Sequence, residues 1–393
     1  MRARYSGKTS FGFPIKFSLW CYILLSINFI STKAIHPIHI IRSKMGATIS
    51  VSQWYVYGKK HFTKTGYERH VKAYTSPVQS SSSIIRGAQG ADGVDMSGKV
   101  VVITGANSGL GKELATYAAA KGASLYMICR SAERGEAARN EIVSLTQNDK
   151  VRLLLADVGE LEQVRSVVKQ LQEQEPKVDC LVCNAGVLLN NRTETKEGQE
   201  ATYASHFLGG SYLLSQLLLP QLKASATEDA DKKETNDKPR VIFVTSGGML
   251  ITKLPSWDML TSSSEEAKAK YDGNYAYGYA KRGQVLLAER LAQDEPQITW
   301  ITAHPGWSGT NAVDEAFGDN KKYLEPLRST WEGAEGISWL MHADTLVNGA
   351  LYLDRVIQKK HIAGPFMSEG TYTKNKPSEV DEMMENLKKD AGL

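Results

Sequence analysis

The chain has only four cysteines in 393 residues, Cys21, Cys129, Cys180 and Cys183. Their small number and scatter exclude a disulfide framework and favour a reducing compartment. Cys180 and Cys183 form a C-x-x-C, yet the run VDCLVC around them reads as a buried strand. Cysteine there behaves as a small hydrophobe, not as an exposed redox pair. Proline is scarce at 12 residues and glycine moderate at 33, which excludes collagen-like and wholly disordered chains. The most apolar leader stretch, residues 17–30, has 14 residues, short of the ~20 that a membrane-spanning helix needs. No acid precedes Glu68: residues 1–67 carry ten Lys/Arg, leaving 37 Lys/Arg against 43 Asp/Glu, or −6, for the rest. The formal charge of +4 therefore belongs to the leader, and the mildly acidic body lacks the basic footprint of a nucleic-acid binder. At 42% hydrophobic and 23% charged, what remains is an ordinary folded chain with ample core.

Residues 1–44 form a leader with three readings: a signal-peptide hydrophobic region, an Arg- and Ser-rich mitochondrial transit peptide, or an extension without a targeting role. Met45 offers another start. MGATIS matches M-G-x-x-x-[ST] with Gly46 as acyl acceptor, followed by Trp54, Tyr55, Tyr57, Lys59, Lys60 and Lys64 as a second membrane signal. That reading gives peripheral membrane attachment; without it the protein is expected in the cytoplasm. Residues 45–75 then form an N-terminal segment, 76–97 a Ser/Gly-rich flexible linker, 98–365 the main domain and 366–393 a C-terminal tail or helix. A polar stretch at 224–239 reads as a solvated insertion.

From Lys99 onward, short apolar runs alternate with helical patterns. The runs fall at 100–104, 124–129, 151–156, 179–183, 240–245, 298–303 and 349–353. Each is too short and too uniformly apolar for a half-exposed antiparallel strand. The alternation predicts an α/β fold: a Rossmann-type, doubly wound parallel sheet of about seven strands, with ligands beyond the C-terminal strand ends.

Directly after the first run comes Gly105-Ala106-Asn107-Ser108-Gly109-Leu110-Gly111, opening a helix. Glycines there let the backbone turn tightly and approach a pyrophosphate, whose charge suits the free N–H groups of a helix start. At the end of the second run, where an acid would grip a ribose 2′-hydroxyl, stands Arg130. A guanidinium binds a 2′-phosphate bidentately, so NADP(H) is preferred, with NAD(H) the alternative. Tyr277 and Lys281 form Y-x-x-x-K, one helical turn apart, so phenol and ammonium share a face. A nearby cation stabilises the phenolate and draws its pKa toward the working range.

This ordered set resembles the short-chain dehydrogenase/reductase family, in which the glycine motif takes the form G-x-x-x-G-x-G. The resemblance implies an adenine contact at Asp157, an N-A-G signature at Asn184, Ala185 and Gly186, and a substrate-orienting hydroxyl at Ser246. It also implies a nicotinamide loop at Pro305, Gly306 and Thr310, and a ribose contact from Lys281 beside Tyr277 as proton donor and acceptor. The family's usual Asn on the fourth helix is replaced by His206, an imidazole able to keep a proton wire. Tyr277 follows Ser246 by 31 positions, an unusually long gap whose polar residues 261–270 are expected to form a loop beside the substrate. Stretches 62–74, 245–254, 303–310 and 349–362 resemble one branch of the family. A small carbonyl or alcohol substrate is implied, with no metal and with a homo-oligomer as a family habit. Trp257, Met249, Leu250, Trp307 and Phe317 are candidate apolar walls for a lipophilic substrate. A working reductase and a dinucleotide-binding scaffold with little turnover at a membrane are the two functions carried forward.

Overall fold

The computed structural model describes residues 51–75, 93–231, 238–261, 264–310, 313–314, 318–362 and 368–393. The leader with its apolar stretch and Gly46, the linker over 76–92, and Phe317 lie outside the described residues. Strands β1 (Val100–Thr104), β2 (Ser124–Cys129), β3 (Val151–Leu155), β4 (Cys180–Cys183), β5 (Arg240–Val244), β6 (Thr299–Ala303), β7 (Leu351–Leu353) and β8 (Val356–Gln358) form one sheet in the order β3-β2-β1-β4-β5-β6-β7-β8. The first seven run parallel, as the alternation predicts. The eighth is an added antiparallel edge. It is only three residues long and its Val356 and Ile357 are exposed, which is why it goes unread in the sequence. Strand order reverses between β1 and β4, so their C-terminal ends open a crevice.

Alternate strand residues feed opposite faces. Val102, Leu181 and Val241 pack under α5 (Leu161–Gln174), α6 (residues 201–217) and α8 (Gly273–Asp294). Val101, Val182 and Ile301 pack under α3 (Gly109–Ala120), α4 (Ala132–Thr146) and α9 (Thr330–Leu340). Cys180 and Cys183 are buried free thiols on β4, as read from the sequence.

Four segments gain detail beyond the sequence reading. Residues 51–61 form a helix, α1, which continues through a turn into α2 (Lys64–Val71) and belongs to the same compact unit as the sheet. Of the two readings for the last residues, tail or helix, the structure has a helix, α10 (Pro377–Asp390), which inserts Met383 and Leu387 into the core. The expected loop at 261–270 contains a short helix, Glu265–Ala269, and follows another, Trp257–Thr261. The expected insertion begins as helix, since α7 spans Leu219–Asp231.

Candidate active site

The glycine turn is a tight cradle. Gly105 has φ +66°, a left-handed conformation that β-carbons disfavour. A Cβ at Gly111 would collide with the Gly105 carbonyl and come within 2.6 Å of Asn184 Nδ2, so the turn folds onto the end of β4. Thr104 ties the two strand ends: its hydroxyl accepts from Asn184 N (3.0 Å) and Ala185 N (2.9 Å), while Asn184 Nδ2 donates to Thr104 O at 3.0 Å. Thr104 opens the glycine run in the sequence, but nothing there shows that its hydroxyl ties β1 to β4. Ser108 caps α3 with no side-chain capping bond, which leaves its hydroxyl facing outward with Asn107 nearby. Leu110 packs partly onto the core. A Cβ at Gly109 would lie 3.7 Å from Thr310 Cγ2, so the loop of Pro305, Gly306 and Thr310 reaches the glycine turn. These features fit a dinucleotide: a helix start with open donors, a backbone without side chains, and a second loop arching over it.

Arg130 extends into solvent after β2, with Nη1 3.4 Å from Asp157 Oδ2. Asp157 Oδ1 accepts from Gly159 N at 3.0 Å, and its own amide donates to Gln163 Oε1 at 2.9 Å. The predicted guanidinium and the predicted adenine contact therefore share one end of the crevice.

The chemical group forms across β5, α6 and α8. Asp272 caps α8, accepting from Asn274 N at 2.9 Å and from Tyr275 N, and so sets the register that presents Tyr277 and Lys281. Lys281 Nζ lies 5.4 Å from the Tyr277 ring centroid and donates to Val244 O at 2.7 Å. Burial lowers Lys281 to about 7. The His206 ring meets the Tyr277 ring edge-on at 5.2 Å. Its Nε2 lies 2.9 Å from Val187 N and 2.6 Å from Val187 O, so either tautomer is held. Its Nδ1 has no hydrogen-bond partner among the described residues. Burial, then Lys281, keep this imidazole well below the ordinary histidine range. Gly186 lies against it, for a Cβ there would overlap the ring. His206 sits in a ten-residue π-helical stretch, Ala204–Leu213, closed by Ser211 Oγ donating to His206 O at 2.5 Å; wide turns of this kind concentrate at functional sites. Gln284, unread in the sequence, donates to that same carbonyl at 3.0 Å.

Ser246, not its neighbour Thr245, is the hydroxyl that acts on the phenol, drawing its pKa down, whereas Thr245 is buried and donates its hydroxyl to Lys281 O at 2.8 Å. The electrostatics differ from the expectation. Burial pushes the Tyr277 phenol up, and the group that pulls it back is Ser246 rather than Lys281. The reason is that Lys281 is itself desolvated and spends its proton on Val244.

The candidate apolar walls are largely core. Trp257 packs on Tyr203 and donates to Asp390 Oδ2 at 3.0 Å. Met249, Leu250 and Trp307 lie buried in a cluster with Phe62. Trp54, Tyr55 and Tyr57, grouped in the sequence with a membrane signal, make internal bonds to Gly247 O, Tyr323 O and Gln358 Oε1. Among the described residues no helix is long and apolar enough to cross a membrane.

A doubly wound sheet with a glycine cradle at its switch point and a Tyr–Lys pair beside it defines a nicotinamide-dinucleotide oxidoreductase. The family model "short chain dehydrogenase" matches residues 99–251. Dehydrogenase/reductase SDR family member 12 of Homo sapiens is 31% identical over 338 residues, covering 85% of this chain and 95% of the relative. Retinol dehydrogenase 12 of Mus musculus is 35% identical over 216 residues, covering 54% of this chain and 62% of that protein. A short chain dehydrogenase of Shigella flexneri 2a solved with NADP shares the fold with a TM-score of 0.50 at 18% identity, covering 67% of this chain and 100% of that one. The chain belongs to the short-chain dehydrogenase/reductase family and is an NAD(P)-dependent oxidoreductase.

Proposed function

We propose that the protein is an NADP(H)-dependent oxidoreductase acting on a lipophilic carbonyl or alcohol, with Tyr277 as acid/base. The observation that carries this reading is the convergence of Ser246, Tyr277, Lys281 and His206 beside the end of β5. Arg130 supports the 2′-phosphate form of the cofactor, because it is exposed and held only by a 3.4 Å pair that a phosphate would outcompete. Support for a lipophilic substrate comes from the relative named retinol dehydrogenase, since most of the candidate wall residues are engaged in packing. The glycine turn, Asn184, Lys281 and Thr310 would hold the dinucleotide, which when bound supplies or accepts the hydride.

The chain's own residues manage one proton. Tyr277 keeps its phenolic proton at neutral pH because burial raises its pKa, so it is loaded to donate to a substrate oxygen that Ser246 orients. Once that proton leaves, the Ser246 hydroxyl stabilises the phenolate. Lys281, poised at about 7, changes protonation within the working range. His206 can carry its single ring proton on either Nδ1 or Nε2, since Val187 offers Nε2 both a donor and an acceptor. The second reading, a scaffold with little turnover, is favoured by one feature: His206 is held neutral and buried where relatives of this family carry an amide. NADPH oxidation across a panel of aldehydes and ketones, with binding followed by NADPH fluorescence, separates the two. Binding with turnover of an apolar carbonyl is expected; binding with no oxidation across the panel supports the scaffold.

A further inference from the structure

The N-terminal helices lie against the two turns that the site depends on. Trp54, on α1, donates its indole N–H to the carbonyl of Gly247 at 2.8 Å, and Gly247 directly follows Ser246. Phe62, just past α1, offers its carbonyl to Trp307 N at 2.8 Å and to Arg328 Nε at 2.9 Å. Trp307 lies between Pro305 and Thr310, and its indole meets Trp54 edge-on at 5.5 Å.

The fit at Gly247 is close on every side. A Cβ there would come 2.7 Å from His304 Nε2, 2.8 Å from the Phe62 ring and 3.2 Å from Trp54 Nε1. His304 Nδ1 accepts from Gly306 N at 2.7 Å, which places the proton on Nε2. That Nε2 is buried with no hydrogen-bond partner among the described residues, and Phe62 covers it with ring centroids 4.3 Å apart. The Nε2–H buried beneath the Phe62 ring marks how closely the N-terminal helices cover this turn.

We propose that α1 is a built-in strap of the active site and that Trp54 is a positioning residue: its indole fixes the Ser246–Gly247 turn, and with it the hydroxyl that orients the substrate. The proposal rests on the role assigned to Ser246 above. A strap that only added stability would move the melting temperature and leave chemistry untouched. A strap that sets a hydroxyl within hydrogen-bond reach of a phenol controls turnover, because small displacements of a reacting geometry are costly.

Trp54→Phe keeps an aromatic ring against Trp307 and deletes only the N–H. The predicted result is a fall in kcat of about ten-fold, NADPH affinity within two-fold of the parent, and faster hydrogen–deuterium exchange at the amides of 247–250. Trp54→Ala is predicted to extend the exchange effect to residues 305–310. A Trp54→Phe enzyme whose kcat or whose exchange at 247–250 stays within two-fold of the parent would overturn the proposal. Should the parent oxidise NADPH with no carbonyl, the acid/base reading fails by itself, and the exchange data alone decide whether Trp54 holds the turn.

Discussion

Arg130 is the residue to which the proposed preference for NADP(H) is assigned. Its guanidinium is exposed and 3.4 Å from Asp157, so in the free protein it contributes little to stability. A 2′-phosphate would offer two charge-assisted bonds in place of that loose pair. Arg130→Ala is therefore predicted to weaken NADPH binding by ~10–100-fold, in line with one to two charge-assisted hydrogen bonds, while NADH binding changes less than three-fold. Equal losses for both cofactors in a fluorescence titration would remove the assignment. At this scale the sequence was informative about identity and poor on electrostatics. Tyr277, Lys281 and the glycine turn stand out because their spacing is tied to helix and turn geometry, and Ser246 because of the family resemblance. The direction of the Tyr277 shift was not readable, because it depends on how deeply α8, β5 and α6 bury the phenol together. Gln284 carries no motif at all; only the fold reveals what it and Thr104 hold.

Elements show the same division. The parallel strands were legible because both faces are covered, which makes each a run of apolar residues. The strap and α10 were not. Their apolar residues are interleaved with the lysines and acids of an exposed face, and what buries them lies more than a hundred positions away in sequence. The strap also holds a pH-sensitive contact. His61 Nδ1 lies 3.0 Å from His70 Nε2, and His70 Nδ1 lies 2.7 Å from Asp354 Oδ2, which Arg328 also binds. Burial, then His70, Lys60 and Arg69 lower His61 to about 4 against the opposing pull of Asp354. Burial and Arg328 lower His304 to about 3. Both groups sit below their unfolded value of 6.5, so the unfolded chain binds protons first. Stability is full above about pH 6.5 and falls as pH drops toward 4. Melting measured across that window is predicted to fall by several degrees, and His61→Gln is predicted to flatten part of the decline. A melting temperature that holds level or rises on acidification would contradict this.

At the scale of the whole molecule, a dinucleotide fold carries two additions that close it. The strap presses on the turns after β5 and β6, and α10 ties down the start of α6 through Asp390, which accepts from Tyr203 and Trp257. Both additions bear on elements that carry site residues, so the core fold and its extensions form one machine for holding Ser246, Tyr277, Lys281 and His206 in register. The account stands or falls on the phenol at its centre. The most direct measurement is the rate of carbonyl-dependent NADPH oxidation by Tyr277→Phe beside the parent, at cofactor concentrations that saturate both. The account predicts a loss of ~10²–10⁴-fold, the usual worth of a positioned acid/base, with NADPH binding intact. A variant that oxidises NADPH within three-fold of the parent would contradict it.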